Sequence, residues 1–188
     1  MPAPYGGQSQ QRWGDNTVNA SEYLRDLMMT DLATGRPTGT ADARRKGMVV
    51  LVFFNVGTPD CITLIPALQR LSDAYKESGK FTVLGVSEDD EPMTRAFIAE
   101  HGLKFPLVLD HDGYHAMIYG LARVPTLYFA DASGSVLKKM VGYSGKTLND
   151  ISHAVANFAQ VDQVVIDENA PMLPAIPRPE PVAAEAKS

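Results

Sequence analysis

The sequence is poor in cysteine, and Cys61 is the only residue of this type among 188 residues. One thiol cannot close a disulfide bridge inside its own chain, so a disulfide framework and an internal dithiol redox centre are both excluded. Redox chemistry by this protein would need a second thiol from another molecule. Without such chemistry, a lone cysteine serves as a small apolar side chain in a core.

Long apolar runs are also absent. No stretch approaches the roughly 20 apolar residues that a membrane-spanning helix needs. Residues 1–7, which read Met-Pro-Ala-Pro-Tyr-Gly-Gly, contain no apolar core of a secretory signal peptide. We therefore predict no transmembrane segment and no signal peptide in this sequence. The cellular compartment stays open, because a single cysteine does not indicate whether the surroundings are oxidising or reducing.

Charge of one sign is not concentrated anywhere. The chain has 17 Lys and Arg against 22 Asp and Glu, for a net charge of −5. Because no basic cluster is available to neutralise phosphates, we expect no nucleic-acid binding. No glycine-rich phosphate loop or nucleophilic serine motif occurs. The apolar residues, 45% of the chain, suffice for one sizeable core, so we expect a single domain without a cofactor.

The most informative segment is an apolar run followed by Thr58-Pro59-Asp60-Cys61. Residues 48–54 are β-branched, aromatic or otherwise apolar, which is typical of a strand buried on both faces. Thr58 suits the N-cap of a helix, Pro59 its first position, and Asp60 the positive end of its dipole. This pattern predicts a strand, a tight turn and a helix whose first turn contains Cys61.

Composition divides the chain into three parts. We predict a flexible leader over 1–20, an α/β domain over 21–160 and a Pro- and Ala-rich tail over 161–188. Hydrophobic periodicity and turn residues predict the elements of the domain. These are strands at 81–86, 106–109, 127–129 and 136–141, helices after Ser87 and over 114–121, and a last helix with Leu148, Ile151, Val155 and Phe158 on one face.

Several motifs in this order are shared with a known family. They are Thr30-Asp-Leu-Ala-Thr-Gly35, Val49-Val-Leu-Val-Phe-Phe54, Pro66-Ala-Leu-Gln-Arg-Leu71, Val83-Leu-Gly-Val-Ser87, Phe97-Ile-Ala-Glu-His-Gly-Leu103 and Tyr119-Gly-Leu-Ala-Arg-Val-Pro-Thr126. The chain resembles the TlpA/ResA branch of thioredoxin-like proteins, which overlaps the AhpC/TSA peroxiredoxin group. This resemblance implies a thioredoxin-like fold, with a central mixed β-sheet flanked by helices and an N-terminal hairpin extension over 23–30 and 36–40.

The catalytic pattern of that branch is incomplete in this chain. Redox-active members carry Trp-Cys-x-x-Cys, followed three residues later by a glutamate. Gly57 stands at the tryptophan position, Thr58 at the first cysteine and Leu64 at the glutamate, whereas Cys61 occupies the second-cysteine position. The resemblance therefore implies a degenerate active site in which dithiol–disulfide exchange by the usual route is not expected.

A second pattern leaves room for one-cysteine chemistry. Peroxiredoxins carry Thr-x-x-Cys, with the threonine hydroxyl facing the reactive thiol, and Thr58 and Cys61 fit this spacing. The N-terminus of a helix lowers a thiol pKa, whereas the adjacent Asp60 raises it. The peroxiredoxin arginine position is filled by Val124, and Arg123, one residue away, is the candidate anion stabiliser. We name Cys61, Thr58 and Arg123 as candidate catalytic residues.

Pro125 is placed where thioredoxin-fold proteins have a cis proline facing the active-site turn. We expect it to be cis, to keep another strand from pairing at that edge, and to form a substrate groove with Pro59, Asp60 and Val124. Two functions remain open. The first is peroxiredoxin-like or mixed-disulfide chemistry that uses an external thiol reductant. The second is a redox-silent module that binds a protein partner through this groove or through the Pro-rich tail.

Other chemical candidates are weaker. His111 and His115 have the i, i+4 spacing of two metal ligands, but Asp-x-Asp-Gly at this point predicts a turn before a short helix, so we expect no metal site. The acidic residues 88–91 are interpreted as first-turn charge of a helix rather than as a catalytic cluster.

Overall fold

The computed structural model describes residues 22–167, 169 and 176–177. The predicted leader, 1–20, lies outside the described residues. The strands are β1 Met28–Thr30, β2 Pro37–Gly39, β3 Met48–Phe54, β4 Phe81–Ser87, β5 Leu107–Leu109, β6 Arg123–Val124, β7 Thr126–Ala130, β8 Val136–Val141 and β9 Ile176–Pro177. The helices are α1 Thr40–Lys46, α2 Pro59–Tyr75, α3 Glu91–His101, α4 Tyr114–Ile118 and α5 Gly145–Ala159.

The central sheet has five strands in the order β5-β4-β3-β7-β8. β3, β4 and β5 run parallel, whereas β7 and β8 are antiparallel to their neighbours. β1 and β2 form a separate antiparallel hairpin. The prediction of a thioredoxin-like α/β fold, with a mixed sheet flanked by helices and an N-terminal hairpin, is confirmed.

β3 is buried on both faces, as its apolar run predicts. Val50, Val52 and Phe54 belong to one hydrophobic cluster, which includes side chains of α2 and α5. The residues between them belong to a second cluster on the opposite face of the sheet. Because side chains alternate along a strand, burial of both faces requires an uninterrupted apolar sequence. This strand therefore fixes the position of the turn that follows it.

The helices begin and end largely where the turn residues indicate. Asp90 caps α3 by accepting a hydrogen bond from the backbone N–H of Met93, and Gly102 ends that helix in the left-handed conformation. On α5, Leu148, Ile151 and Val155 are buried as predicted, but Phe158 is 42% exposed. Ala159 is buried instead, because at 100° per residue Phe158 falls at the margin of the apolar face.

The segment that follows α5 packs back onto the domain. Ile166 is buried in the main cluster, and its carbonyl accepts a hydrogen bond from Arg70. Asn149 accepts hydrogen bonds from the backbone N–H groups of Ile166 and Asp167, and the Tyr143 hydroxyl donates to the Asp167 carboxylate at 2.8 Å. The first residues beyond the predicted boundary at 160 are therefore anchored, although the boundary itself stays a prediction.

Candidate functional site

The candidate site lies where two strands end beside each other. Phe53 of β3 is paired with Thr126 of β7 in an antiparallel ladder. The chain leaves β3 after Phe54 and enters β7 from Pro125, so the turn before α2 and the segment around Pro125 share one end of the sheet. The Val124–Pro125 peptide bond is cis, as predicted.

The turn after β3 ends in the expected helix start. Thr58 is the N-cap of α2 with extended backbone angles (φ −99°, ψ 137°), and Pro59 is the first helical residue. The carbonyl of Thr58 accepts the first helical hydrogen bond, from the N–H of Ile62 at 3.1 Å. The Thr58 hydroxyl does not cap the helix. Cys61 consequently lies in the first turn of α2, three residues after the N-cap.

Cys61 belongs to the core rather than to the surface. Its side chain is 0% exposed and is part of the hydrophobic cluster between the sheet and α2. The next residue, Ile62, is 46% exposed, because one step along a helix turns the side chain by about 100°. At the start of α2 the thiol is therefore closed to solvent, whereas the neighbouring side chain of Ile62 is open to it.

The pKa of Cys61 shifts in the direction opposite to the one that a helix N-terminus alone predicts. Burial raises the pKa of the thiol from 9.0 to about 11. A contact with Thr58 and a backbone hydrogen bond at Asn55 lower the pKa, whereas the negative charges of Asp60 and Asp89 raise it further. Desolvation is the largest of these effects, so the thiol is protonated at neutral pH.

Three buried polar atoms of residues 55–60 lack hydrogen-bond partners among the described residues. They are Asn55 Oδ1, Thr58 Oγ1 and one carboxylate oxygen of Asp60, and the side chains of Thr58 and Asp60 are 8% and 5% exposed. Because the Thr58 hydroxyl makes no hydrogen bond of standard geometry, its contact with the Cys61 thiol is weak. Burial also raises the pKa of Asp60. Polar groups in this condition are unusual in proteins and are often found at functional sites.

Asp89 is a site residue that the sequence interpretation missed. Its carboxylate accepts a hydrogen bond from the backbone N–H of Val56 at 2.7 Å and thereby supports the turn before Thr58. The acidic run was expected to supply only first-turn charge, which holds for Glu91 in α3 but not for Asp89. The carboxyl ends of the parallel strands β3 and β4 meet at one edge, and this rule is the signal that could have found it.

Arg123 and Val124 form β6, immediately before Pro125. Arg123 is exposed, whereas Val124 is 0% exposed. The Arg123 guanidinium is not among the groups that shift the pKa of the Cys61 thiol. Its carbonyl oxygen accepts a hydrogen bond from the Thr126 hydroxyl at 2.7 Å. The proposed role of Arg123 as an anion stabiliser therefore stays a prediction.

The expectation that no strand pairs near Pro125 is wrong. β9 pairs with β6 in an antiparallel ladder, with Pro177 opposite Arg123 and Ile176 opposite Val124. Pro125 lacks a backbone N–H, but the two residues before it retain theirs and can take part in a ladder. The segment of chain next to the candidate groove therefore accepts an extended peptide strand.

His115, one of the two histidines with metal-ligand spacing, makes a structural contact at the start of α4. His115 Nδ1 lies 3.0 Å from a carboxylate oxygen of Asp110, and the backbone N–H groups of His115 and Ala116 donate to the same carboxylate. Asp110 is 2% exposed and holds the start of α4. Over the described ranges, no group of three or more His, Cys, Asp or Glu side chains is arranged to hold a metal ion.

Comparison with known proteins agrees with this architecture. Residues 22–139 match the AhpC/TSA family. The chain is 27% identical over 121 residues to the thiol-disulfide oxidoreductase ResA of Bacillus anthracis, an alignment that covers 64% of this chain and 69% of that protein. It belongs to the AhpC/TSA family, and its similarity to ResA confirms the TlpA/ResA-type, thioredoxin-like assignment.

Two solved structures show the same fold. A protein described as a thiol:disulfide interchange protein DsbE, from Chlorobium tepidum, superposes with a TM-score of 0.65 at 22% identity and covers 76% of this chain and 99% of its own. Peroxidoxin BcpB from Mycobacterium tuberculosis gives a TM-score of 0.59 at 21% identity, covering 74% and 94%. In the part of the chain that the structure describes, no helix is long and apolar enough to cross a membrane.

Proposed function

We propose that this protein is a thioredoxin-fold binding module of thiol-oxidoreductase ancestry, in which Cys61 is a core residue. In this proposal the surface around Thr58, Pro59, Asp60 and Pro125 receives an extended segment of a protein partner. The carrying observation is the complete burial of the Cys61 side chain. A cysteine nucleophile must be ionised to the thiolate and must also reach its substrate. Burial opposes both ionisation and access.

The surroundings of the thiol support this proposal. Its pKa of about 11 leaves only about one thiol in ten thousand ionised at pH 7. The negative charges of two acidic side chains, Asp60 and Asp89, oppose the formation of a thiolate. Catalytic cysteines are instead surrounded by cationic groups or free N–H donors, which stabilise the negative sulfur.

The strand edge supports the binding part of the proposal, because β6 takes β9 as an antiparallel neighbour. An extended peptide supplies N–H donors at regular intervals, and it can add to the backbone of β6 as a further strand. Pro59 and Ile62 are exposed at the start of α2 and offer apolar contact area.

Thiol labelling tests the first part of the proposal, in which Cys61 is a core residue without redox activity. Cys61 should react with iodoacetamide at pH 7.5 at least 100-fold more slowly in the folded protein than in urea, because two pKa units alone reduce the thiolate about 100-fold. The matched control is Cys61→Ser/Ile62→Cys, which moves the thiol one residue to an exposed position and should label rapidly. Equal rates for folded and unfolded wild type would reject the proposal.

Peptide mapping tests the binding part. Extended peptides are selected from a displayed library on the immobilised full-length protein, and the best one is added to labelled protein in an NMR titration. Chemical-shift changes should cluster at residues 57–62 and 123–126. Changes confined to another surface would contradict the proposed groove.

One-cysteine chemistry is the second candidate. The contact between Thr58 and the thiol favours it, because that contact lowers the pKa of Cys61. In this case a peroxide would oxidise the thiolate to a sulfenic acid, with cleavage of the peroxide O–O bond, or the thiolate would attack a substrate disulfide and release one of its sulfurs as a thiol. An external thiol would then reduce the oxidised Cys61. Rapid labelling of the folded protein, with loss of peroxide consumption in Cys61→Ser, would decide in its favour.

A further inference from the structure

The segment that pairs with β6 comes from the tail of the same chain. β9 places Ile176 opposite Val124 and Pro177 opposite Arg123. Among the described strands, β6 has no other ladder partner and is not part of the central sheet. The edge that we propose for a partner strand is therefore occupied by residues of the protein itself.

The start of the tail is fixed close to the domain core. Asn149 binds the backbone N–H groups of Ile166 and Asp167 at 2.6 and 3.1 Å. Arg70 donates to the Ile166 carbonyl at 3.1 Å, and Tyr143 donates to the Asp167 carboxylate at 2.8 Å. Residues 168–175 are the connection between this anchor and β9. Such a short connection holds the tail strand at a high concentration near β6.

We propose that residues 176–177 act as a built-in competitor that closes the Arg123–Val124 edge until a partner strand displaces them. This inference rests on the proposed function, because it assigns a regulator to the same docking edge. A two-residue ladder is short, so it is readily exchanged by a longer strand that also contacts the groove. The tail is therefore displaced by partners that contact the groove as well as the edge, and not by partners that bind the edge alone.

The expected strength of this effect follows from the tether. Short connections give effective concentrations of about 1 mM. If the tail strand alone binds with a dissociation constant of about 100 μM, the tail occupies the edge in about nine molecules of ten and weakens a competing peptide about 10-fold. Locking the tail in place should weaken the competitor much further.

Cross-linking in the full chain tests the contact. In a Cys61→Ser background, Arg123→Cys/Pro177→Cys places two thiols directly opposite each other, within the Cα separation that a disulfide requires. Arg123→Cys/Pro181→Cys is the matched control, four residues out of register. We expect the intramolecular disulfide to form at least 10-fold faster in the in-register variant. Equal rates, or cross-links only between molecules, would overturn the inference.

The same in-register variant tests whether the tail closes the Arg123–Val124 edge. A fluorescent synthetic peptide with the sequence of residues 170–183 is titrated against the oxidised and the reduced protein. The reduced form should bind it at least 10-fold more tightly, and equal binding by both forms would overturn the closure. If the cross-link forms in register but neither form binds the peptide, then the docking surface of the proposed function is wrong while the self-contact of the tail stands.

Discussion

The hydroxyl oxygen of Tyr75, at the end of α2, lies 2.6 Å from the hydroxyl oxygen of Ser152 in α5. The Tyr75 hydroxyl also accepts a hydrogen bond from the backbone N–H of Val164 at 3.1 Å. This one side chain, 1% exposed, therefore joins the helix that carries Cys61, the last helix and the segment that leads to the tail. Buried hydrogen bonds between elements of this kind specify how the elements pack.

Replacement of this hydroxyl should lower stability. We expect Tyr75→Phe to reduce the free energy of unfolding by about 1–3 kcal/mol, because Ser152 and the Val164 N–H lose a buried partner. Urea unfolding measures the change. The matched control is Tyr114→Phe, at a side chain that is 55% exposed, which should change stability by less than about 0.5 kcal/mol. Similar effects of the two substitutions would contradict the junction described above.

The raised pKa of Cys61 predicts a loss of stability in alkaline solution. An unfolded cysteine loses its proton near pH 9.0, whereas the folded thiol keeps it up to about pH 11. Between these values the folded state binds more protons, so stability falls as the pH rises. From pH 8 to pH 10 the wild type should lose about 1 kcal/mol through this group.

The control for the thiol is Cys61→Ala, which removes the titrating group and keeps the site apolar. The difference in free energy of unfolding between the wild type and this variant, followed by urea unfolding at each pH, should change by the same amount over this range. A difference that stays constant from pH 8 to pH 10 would show that the folded thiol titrates normally, and the redox-silent proposal would lose its support.

Asp60 should destabilise the folded protein at neutral pH. Burial raises its pKa above 3.8, so the folded state disfavours the charged carboxylate. The contribution of this carboxyl to the free energy of unfolding is fully present below pH 3.8. It is lost as the pH rises through the pKa of the folded state. Asp60→Asn should therefore be more stable than the wild type at pH 7, with a gain that disappears as the pH falls toward 3.8.

Thermal unfolding at several pH values measures this effect. The matched control is Asp162→Asn, since Asp162 is exposed and lies beyond α5. The control should show little change in melting temperature at any pH. A destabilised Asp60→Asn at pH 7 would mean that the carboxylate is favoured by the helix dipole after all, and that burial is not the dominant effect.

Much of the fold follows from local sequence signals. The apolar run at 48–54, the turn residues Thr58 and Pro59 and the glycine at 102 each produce the expected element boundary. Phe158 is the clearest exception, because a helical periodicity locates the centre of an apolar face more sharply than its margin. The boundaries of these strands and helices depend on residues that are close in sequence, so a sequence pattern can predict them.

The site depends more on residues that are distant in sequence. Thr58, Cys61 and Pro125 could be chosen from their spacing and from the family resemblance, and they are brought to one end of the sheet by the pairing of β3 with β7. Asp89 could not be identified in this way, because its contact with Val56 exists only when β4 lies beside β3. The tail strand likewise meets β6 only in the folded chain.

The sequence by itself determined that this protein has a single thiol at the start of a helix after a buried strand, and that no internal disulfide can form. Only the tertiary structure decided that the Cys61 side chain faces the core, that its pKa rises to about 11 and that residues 176–177 cover the edge at Arg123. Solvent exposure and local dielectric are properties of the packed molecule, and no spacing along the chain encodes them alone.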